Sequence, residues 1–142
     1  MNLYIDTSAV IKRHVQEAFS EDVRGWIESA TMVATGLITR AEVSSGINRL
    51  YRTKLLLDES YALALSEFRK SWDDYHRIDI TDQIITRADF LICQFVLRGY
   101  DAIHLACSLT WQEALQSPIT MATFDSQLHE AAQKVGMAVL PE

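Results

Sequence analysis

The sequence predicts an α/β domain on a mainly parallel sheet, and three observations predict it. Short apolar runs alternate with longer segments of helical period, as parallel strands joined by crossover helices require. The runs at residues 3–5 and 119–123 are each followed by an acid and a helix start. A chain of 142 residues, 49% hydrophobic and 23% charged with two prolines, has the make-up of one self-sufficient core. One domain is expected over residues 1–142, with no repeat, low-complexity tract or Pro/Gly/Ser-rich linker to divide it.

Leu3-Tyr4-Ile5 reads as a buried strand, and Asp6-Thr7-Ser8 as the cap of a helix carrying Val10, Ile11 and Val15. Ser20 is the expected N-cap of a second helix, with Glu21 and Asp22 in its first turn and Val23, Trp26 and Ile27 at helical spacing. Met32-Val33-Ala34-Thr35 reads as a second strand. Gly36 to Thr39 then turn the chain into a helix with Val43, Ile47, Leu50 and Tyr51 on one face and Glu42 near its start.

Asp58-Glu59-Ser60 opens another helix, with Tyr61, Leu65, Phe68 and Trp72 on one side, ended by the polar run Asp73-Asp74-Tyr75-His76. Ile78-Asp79-Ile80 is a candidate short strand. Thr81 or Asp82 caps the next helix, and Gly99 supplies a break before one that begins near Asp101 and carries Ile103, Leu105, Ala106 and Leu109. Ser117-Pro118 marks a loop, residues 119–123 a strand, residues 126–134 a helix stopped at Gly136, and residues 137–140 a last edge strand.

Charge and cysteine content bound the function. A net charge of −6 argues against nucleic-acid binding by bulk charge, so a polyanion must be met by a local patch or a bound cation. Cys93 and Cys107 have no zinc-type spacing and are expected to be reduced core thiols. Asp6 interrupts the N-terminal apolar run before a signal core forms, and no run of about twenty apolar residues spans a membrane. The cytoplasm is the expected location, with no membrane partner.

Four acids stand out by position. Asp6 and Asp125 follow strands, whereas Glu42 and Asp101 lie near helix starts. In a parallel sheet with right-handed crossovers these places share one edge, where ligands of such folds bind. Singly each has an ordinary reading, for Asp6 and Asp101 are good N-caps and Glu42 a first-turn acid; Ser126 could cap the last helix in place of Asp125. Together they need protons, basic partners or a metal, because two carboxylates about 4 Å apart repel by about 4 kcal/mol at an effective dielectric of about 20. Oxygen-only ligation favours Mg²⁺ or Mn²⁺, which lowers the pKa of bound water and suits hydrolysis of a phosphate ester. Thr7, Ser8 and Thr123 flank the acids and can orient a carboxylate or a phosphate, although capping and strand propensity explain them equally well.

Leu3-Tyr4-Ile5-Asp6-Thr7-Ser8-Ala9-Val10-Ile11-Lys12, Ala41-Glu42-Val43, Leu97-Arg98-Gly99-Tyr100-Asp101-Ala102-Ile103-His104-Leu105-Ala106 and Ala122-Thr123-Phe124-Asp125 resemble the PIN-domain ribonucleases, above all the toxin subunits of VapBC toxin–antitoxin pairs. The likeness runs in family order from residue 3 to about 140. It implies a PIN-like three-layer α/β/α domain and an acidic quartet, Asp6, Glu42, Asp101 and Asp125, holding Mg²⁺ or Mn²⁺. The implied activity is endonucleolytic RNA cleavage by metal-activated water, leaving 5′-phosphate and 3′-hydroxyl ends. The implied partners are a VapB-type antitoxin and a second copy of the chain as a homodimer, DNA being reached only through the antitoxin. Thr7, Ser8 and Thr123 match positions that support the site. His104 lies one turn after Asp101, where helix packing is its favoured role. Cys93-Gln94-Phe95-Val96 departs from the basic residue and Gly that relatives often carry there.

Basic residues suggest how RNA is approached. Arg40, Arg49, Arg52 and Lys54 face Glu42 alone between positions 40 and 54, while eight acids meet four bases between positions 58 and 89. Lys12, Arg13, Arg40 and Arg98 flank the motifs and are candidate phosphate contacts, with solvated helix faces as the plain alternative. Counting the quartet as a cation's ligands removes four of the six net negative charges. Two other functions remain open at this point: a PIN-fold RNA-binding scaffold without turnover, and a housekeeping RNA-processing nuclease.

Overall fold

A computed structural model describes residues 1–142. Its five strands are β1 (Asn2–Ile5), β2 (Met32–Gly36), β3 (His76–Ile78), β4 (Thr120–Ala122) and β5 (Ala138–Leu140). They form one sheet in the order β3-β2-β1-β4-β5, and every pairing is parallel. The helices are α1 (Thr7–His14), α2 (Ser20–Ser29), α3 (Thr39–Arg52), α4 (Asp58–Ser71), α5 (Asp82–Gln94), α6 (Gly99–Leu115) and α7 (Ser126–Lys134). The α/β expectation holds, with helices covering both faces of the sheet.

Alternation along β1 assigns the layers. Leu3, Tyr4 and Ile5 are all fully buried, because successive side chains point to opposite faces and both faces are covered. Leu3 and Ile5 pack with Val10 of α1, Val43 and Ile47 of α3, and Phe68 of α4. Tyr4 packs on the other side with Ala88 of α5, Leu105 of α6 and Leu128 of α7. Strand order reverses at β1, with β2 on one side and β4 on the other, so the residue after Ile5 stands at the switch point of the sheet.

Several local expectations are corrected. The third strand is His76–Ile78 rather than 78–80, since pairing with Ala34, Thr35 and Gly36 of β2 sets its register. Ser20 is the first residue of α2, not its cap; Phe19 holds the N-cap position in the left-handed region at φ 68°, and the Ser20 hydroxyl donates to the Val15 carbonyl at 2.9 Å. α6 begins at Gly99, so Asp101 lies in its first turn. Asp125, not Ser126, caps α7 by accepting the Leu128 N–H at 2.9 Å. Cys107 is buried as expected, but Cys93 is exposed on the outer side of α5 and is no core thiol. Thr81 caps α5 through the Ile84 N–H at 3.2 Å, one of the two caps the sequence offered. No single helix is long and apolar enough to cross a membrane.

Candidate active site

Asp6 sits at the switch point as the N-cap of α1 and is buried. Its Oδ1 accepts the Ala9 N–H at 3.0 Å and the Ser8 hydroxyl at 2.6 Å, while Oδ2 accepts the Thr123 hydroxyl at 2.6 Å. Burial pushes its carboxyl above the usual carboxylate range, and nearby His104 together with these donors only partly offsets that. Both hydroxyls work in two directions. Ser8 also accepts the Phe124 N–H at 2.9 Å and Thr123 accepts the Asp125 N–H at 3.1 Å, so each ties Asp6 to the backbone that carries Asp125. Short polar side chains in these two motifs are therefore staples between segments 117 residues apart in sequence.

Glu42 reaches the same edge from the first turn of α3. Its Oε1 accepts the Thr7 hydroxyl at 2.7 Å and the His104 Nε2 at 2.8 Å. Burial opposes ionisation, but His104, Thr7 and Arg98 outweigh it and hold the carboxyl below its ordinary range. His104 comes from α6, three residues after Asp101, is only 2% exposed, and its Nδ1 lies 2.9 Å from the Tyr4 hydroxyl. Packing is thus only half of its role. The signal in the sequence was the three-residue spacing, which puts Asp101 and His104 on one helix face.

Asp101 and Asp125 share a partner. Arg98 donates from Nε to Asp101 Oδ2 at 3.1 Å and from an Nη to Asp125 Oδ2 at 2.9 Å. Burial first, and the Asp125 charge second, push the Asp101 carboxyl up despite that guanidinium. The four acids therefore stand along the carboxyl edge of β1, β2 and β4, Asp101 and Asp125 joined through Arg98 and Asp6 tied to the Asp125 segment.

A family model described as "PIN domain" matches residues 3–134. The chain belongs to the PIN domain family. Among curated proteins it is 28% identical to Ribonuclease VapC46 of Mycobacterium tuberculosis, over 97% of this chain and 95% of that one. Among solved structures it is similar to the sarcin-ricin loop cleaving toxin VapC20 of Mycobacterium tuberculosis, with a TM-score of 0.66, 16% identity and coverage of 91% and 94%. A toxin–antitoxin complex from Klebsiella pneumoniae matches with a TM-score of 0.61, 18% identity and 88% coverage of each chain.

In this PIN domain the donor set suits a hard divalent cation, being all carboxylate with hydroxyls behind it. Glu42 takes both of its hydrogen bonds on Oε1 and Asp101 takes its one on Oδ2, so an oxygen of each remains free of protein donors. The acids do not, as their side chains stand, gather three around one point. Arg98 pairs with both Asp101 and Asp125 and so competes with a cation for them; its side chain is 74% exposed and swings aside at little cost. The residues fit the ion once that bridge opens. Arg98→Ala is accordingly expected to bind Mn²⁺ more tightly than wild type without RNA, by about tenfold or less given the weakness of exposed pairs. Calorimetric titration checks it, and unchanged or weaker binding would show that the bridge does not compete.

Three of the candidate RNA contacts of this PIN domain find other work. Lys12 donates to Glu17 at 3.1 Å and to the Ala18 carbonyl at 3.0 Å and sits over the Phe124 ring, so it pins a loop rather than facing the acids. Arg13 donates to the Tyr75 hydroxyl at 2.6 Å. It belongs to the last turn of α1, which starts at the carboxyl edge and runs away from it, and Tyr75 precedes β3 at the opposite edge. Arg40 is exposed in the first turn of α3, two residues before Glu42, with its guanidinium 5.8 Å from the Trp72 ring. Arg98 alone is brought to the acids. Arg40, Arg49, Arg52 and Lys54 are exposed, and none of them is in an ion pair.

Proposed function

We propose that the protein is a Mg²⁺- or Mn²⁺-dependent endoribonuclease and the toxin of a type II toxin–antitoxin module. The observation that carries the reading is the convergence of Asp6, Glu42, Asp101 and Asp125 on the switch-point edge of a PIN fold, two of them with a free carboxylate oxygen. Bound there, the ion activates water and offsets the charge that develops on a phosphodiester. The chain's own residues prepare that chemistry. Ser8 and Thr123 hold Asp6 to the Asp125 segment, while Thr7 and His104 fix one oxygen of Glu42. Arg98 neutralises Asp101 and Asp125 and, once released, is a cation available to an RNA phosphate. Arg49 and Arg52 of α3 and Lys54 just beyond it supply backbone contacts to RNA without reading its sequence.

The likeness to ribonucleases of the VapC type and to a toxin–antitoxin complex supports a VapB-type antitoxin as partner. A homodimer in the cytoplasm remains part of the proposal, resting on the family resemblance of the sequence motifs alone. A binding module without turnover is the second reading, favoured by the Arg98 ion pairs that occupy Asp101 and Asp125. RNA-end sequencing after induction of wild type and of Asp101→Asn, with purified protein assayed in Mn²⁺ and in EDTA, separates them. New 5′-phosphate ends that vanish with Asp101→Asn and with EDTA are expected; RNA bound but left uncut by wild type would favour the module.

A further inference from the structure

We propose that His104 is a positioning residue for Glu42 and that Tyr4 in turn sets the orientation of its ring. The proposal rests on the metal-dependent nuclease reading of the same site and adds to it two residues from the hydrophobic interior. Glu42, as a carboxylate, only accepts, so the 2.8 Å contact requires the hydrogen on His104 Nε2. Nδ1 is then free to accept the Tyr4 hydroxyl proton over 2.9 Å. The chain Tyr4 O–H to Nδ1, Nε2–H to Oε1 satisfies every polar atom in a place where neither ring is more than 2% exposed. Thr7 stands on the same oxygen, 3.4 Å from Nε2, so Oε1 is gripped from two sides and Oε2 is the oxygen left to meet an ion.

The sheet is built to make room for this pair. A Cβ added at Gly36 would lie 3.1 Å from the Tyr4 hydroxyl oxygen, 3.5 Å from Cys107 Sγ and 3.7 Å from His104 Nδ1. Glycine at the end of β2 thus leaves the space that a tyrosine hydroxyl and an imidazole fill, at the cost of strand stability. A residue kept for packing alone has no need of two aligned ring nitrogens. Partners of this kind behind a metal's carboxylates commonly change metal affinity by about ten- to a hundredfold when lost.

Two amide replacements discriminate, because the Gln side-chain nitrogen reaches the place of Nε2 and the Asn nitrogen that of Nδ1. Mn²⁺ alone is titrated calorimetrically into the full chain without RNA, for wild type, His104→Asn, His104→Gln and Tyr4→Phe, with thermal midpoints measured in parallel. The expected result is binding weakened about ten- to a hundredfold in His104→Asn, recovered to within about threefold in His104→Gln, and weakened to a smaller degree in the isosteric Tyr4→Phe. Equal loss in Asn and Gln variants, or Asn and Phe variants that bind as wild type does, would overturn the proposal and leave His104 a packing residue. Wild type that binds no Mn²⁺ while still cutting RNA would instead sink the metal reading, which is a different outcome of the same titrations.

Discussion

Asp6→Asn is expected to abolish metal-dependent RNA cleavage, by about three orders of magnitude or more, and yet to raise the thermal midpoint of the metal-free protein by a few degrees. The two effects have one cause. Asp6 is a buried carboxyl whose ionisation burial opposes, and its hydrogen-bond donors offset only part of that cost, so the ionised form strains the metal-free fold. The amide keeps the acceptor for Ala9 and Ser8 and turns its nitrogen toward Thr123, whose hydroxyl can accept. Charge is removed and shape is kept. Differential scanning calorimetry in EDTA with a cleavage assay in Mn²⁺ checks both, and a midpoint that falls would mean that the Asp6 charge holds the fold together.

Much of this site was legible because its residues sit at boundaries the sequence marks. Leu3-Tyr4-Ile5 is apolar on both faces, so it had to be an interior strand, and the acid after it had to stand at the strand's end. The same logic placed Asp125 after β4 and Glu42 in the first turn of α3. What the sequence hid were the directions of long side chains. Lys12 and Arg13 are neighbours of the motif in sequence, but consecutive helical positions point about 100° apart and neither faces the acids. Arg98 was visible as a basic neighbour of Asp101, while its second bond, to a residue 27 positions on, depends on how α7 docks.

His104 and Cys93 show the same limit from opposite sides. His104 lies in a wide apolar stretch, which favours packing, and its polar partners Tyr4 and Glu42 are 100 and 62 residues away. Its spacing from Asp101 is the one local signal, and it does not reveal those two partners. Cys93 sits among Leu91, Ile92 and Phe95, yet α5 turns only one face inward, and Cys93 lies with exposed Phe90 and Ile92 on the other. β3 was misplaced by two residues at its start because His76 and Arg77 are exposed, and only the register against β2 makes them a strand.

Divalent-ion affinity should climb steeply with pH, and two of the acids set the slope. Asp6 and Asp101 are shifted upward, by burial in both cases and for Asp101 by the Asp125 charge as well, so each keeps its proton to higher pH than an ordinary carboxyl. An ion must displace those protons, which costs about tenfold in affinity per pH unit for each ligand still protonated. Glu42 is shifted downward and stays ionised throughout, adding nothing to the slope. The stability of the metal-free chain runs the other way. A carboxyl raised in the folded state stabilises the fold below its unfolded pKa, and that contribution is lost as pH rises through the folded pKa. The metal-free midpoint should therefore lose the contribution of these two groups as they ionise, while Mn²⁺ adds more stability the higher the pH, about 2.7 kcal/mol at a hundredfold excess over its dissociation constant. Thermal midpoints measured from the ordinary carboxyl range, about pH 4, up to neutrality, with and without Mn²⁺, should diverge as pH increases. Parallel curves would mean that Asp6 and Asp101 lose their protons below this range or do not touch the ion, and Asp6→Asn should flatten the divergence.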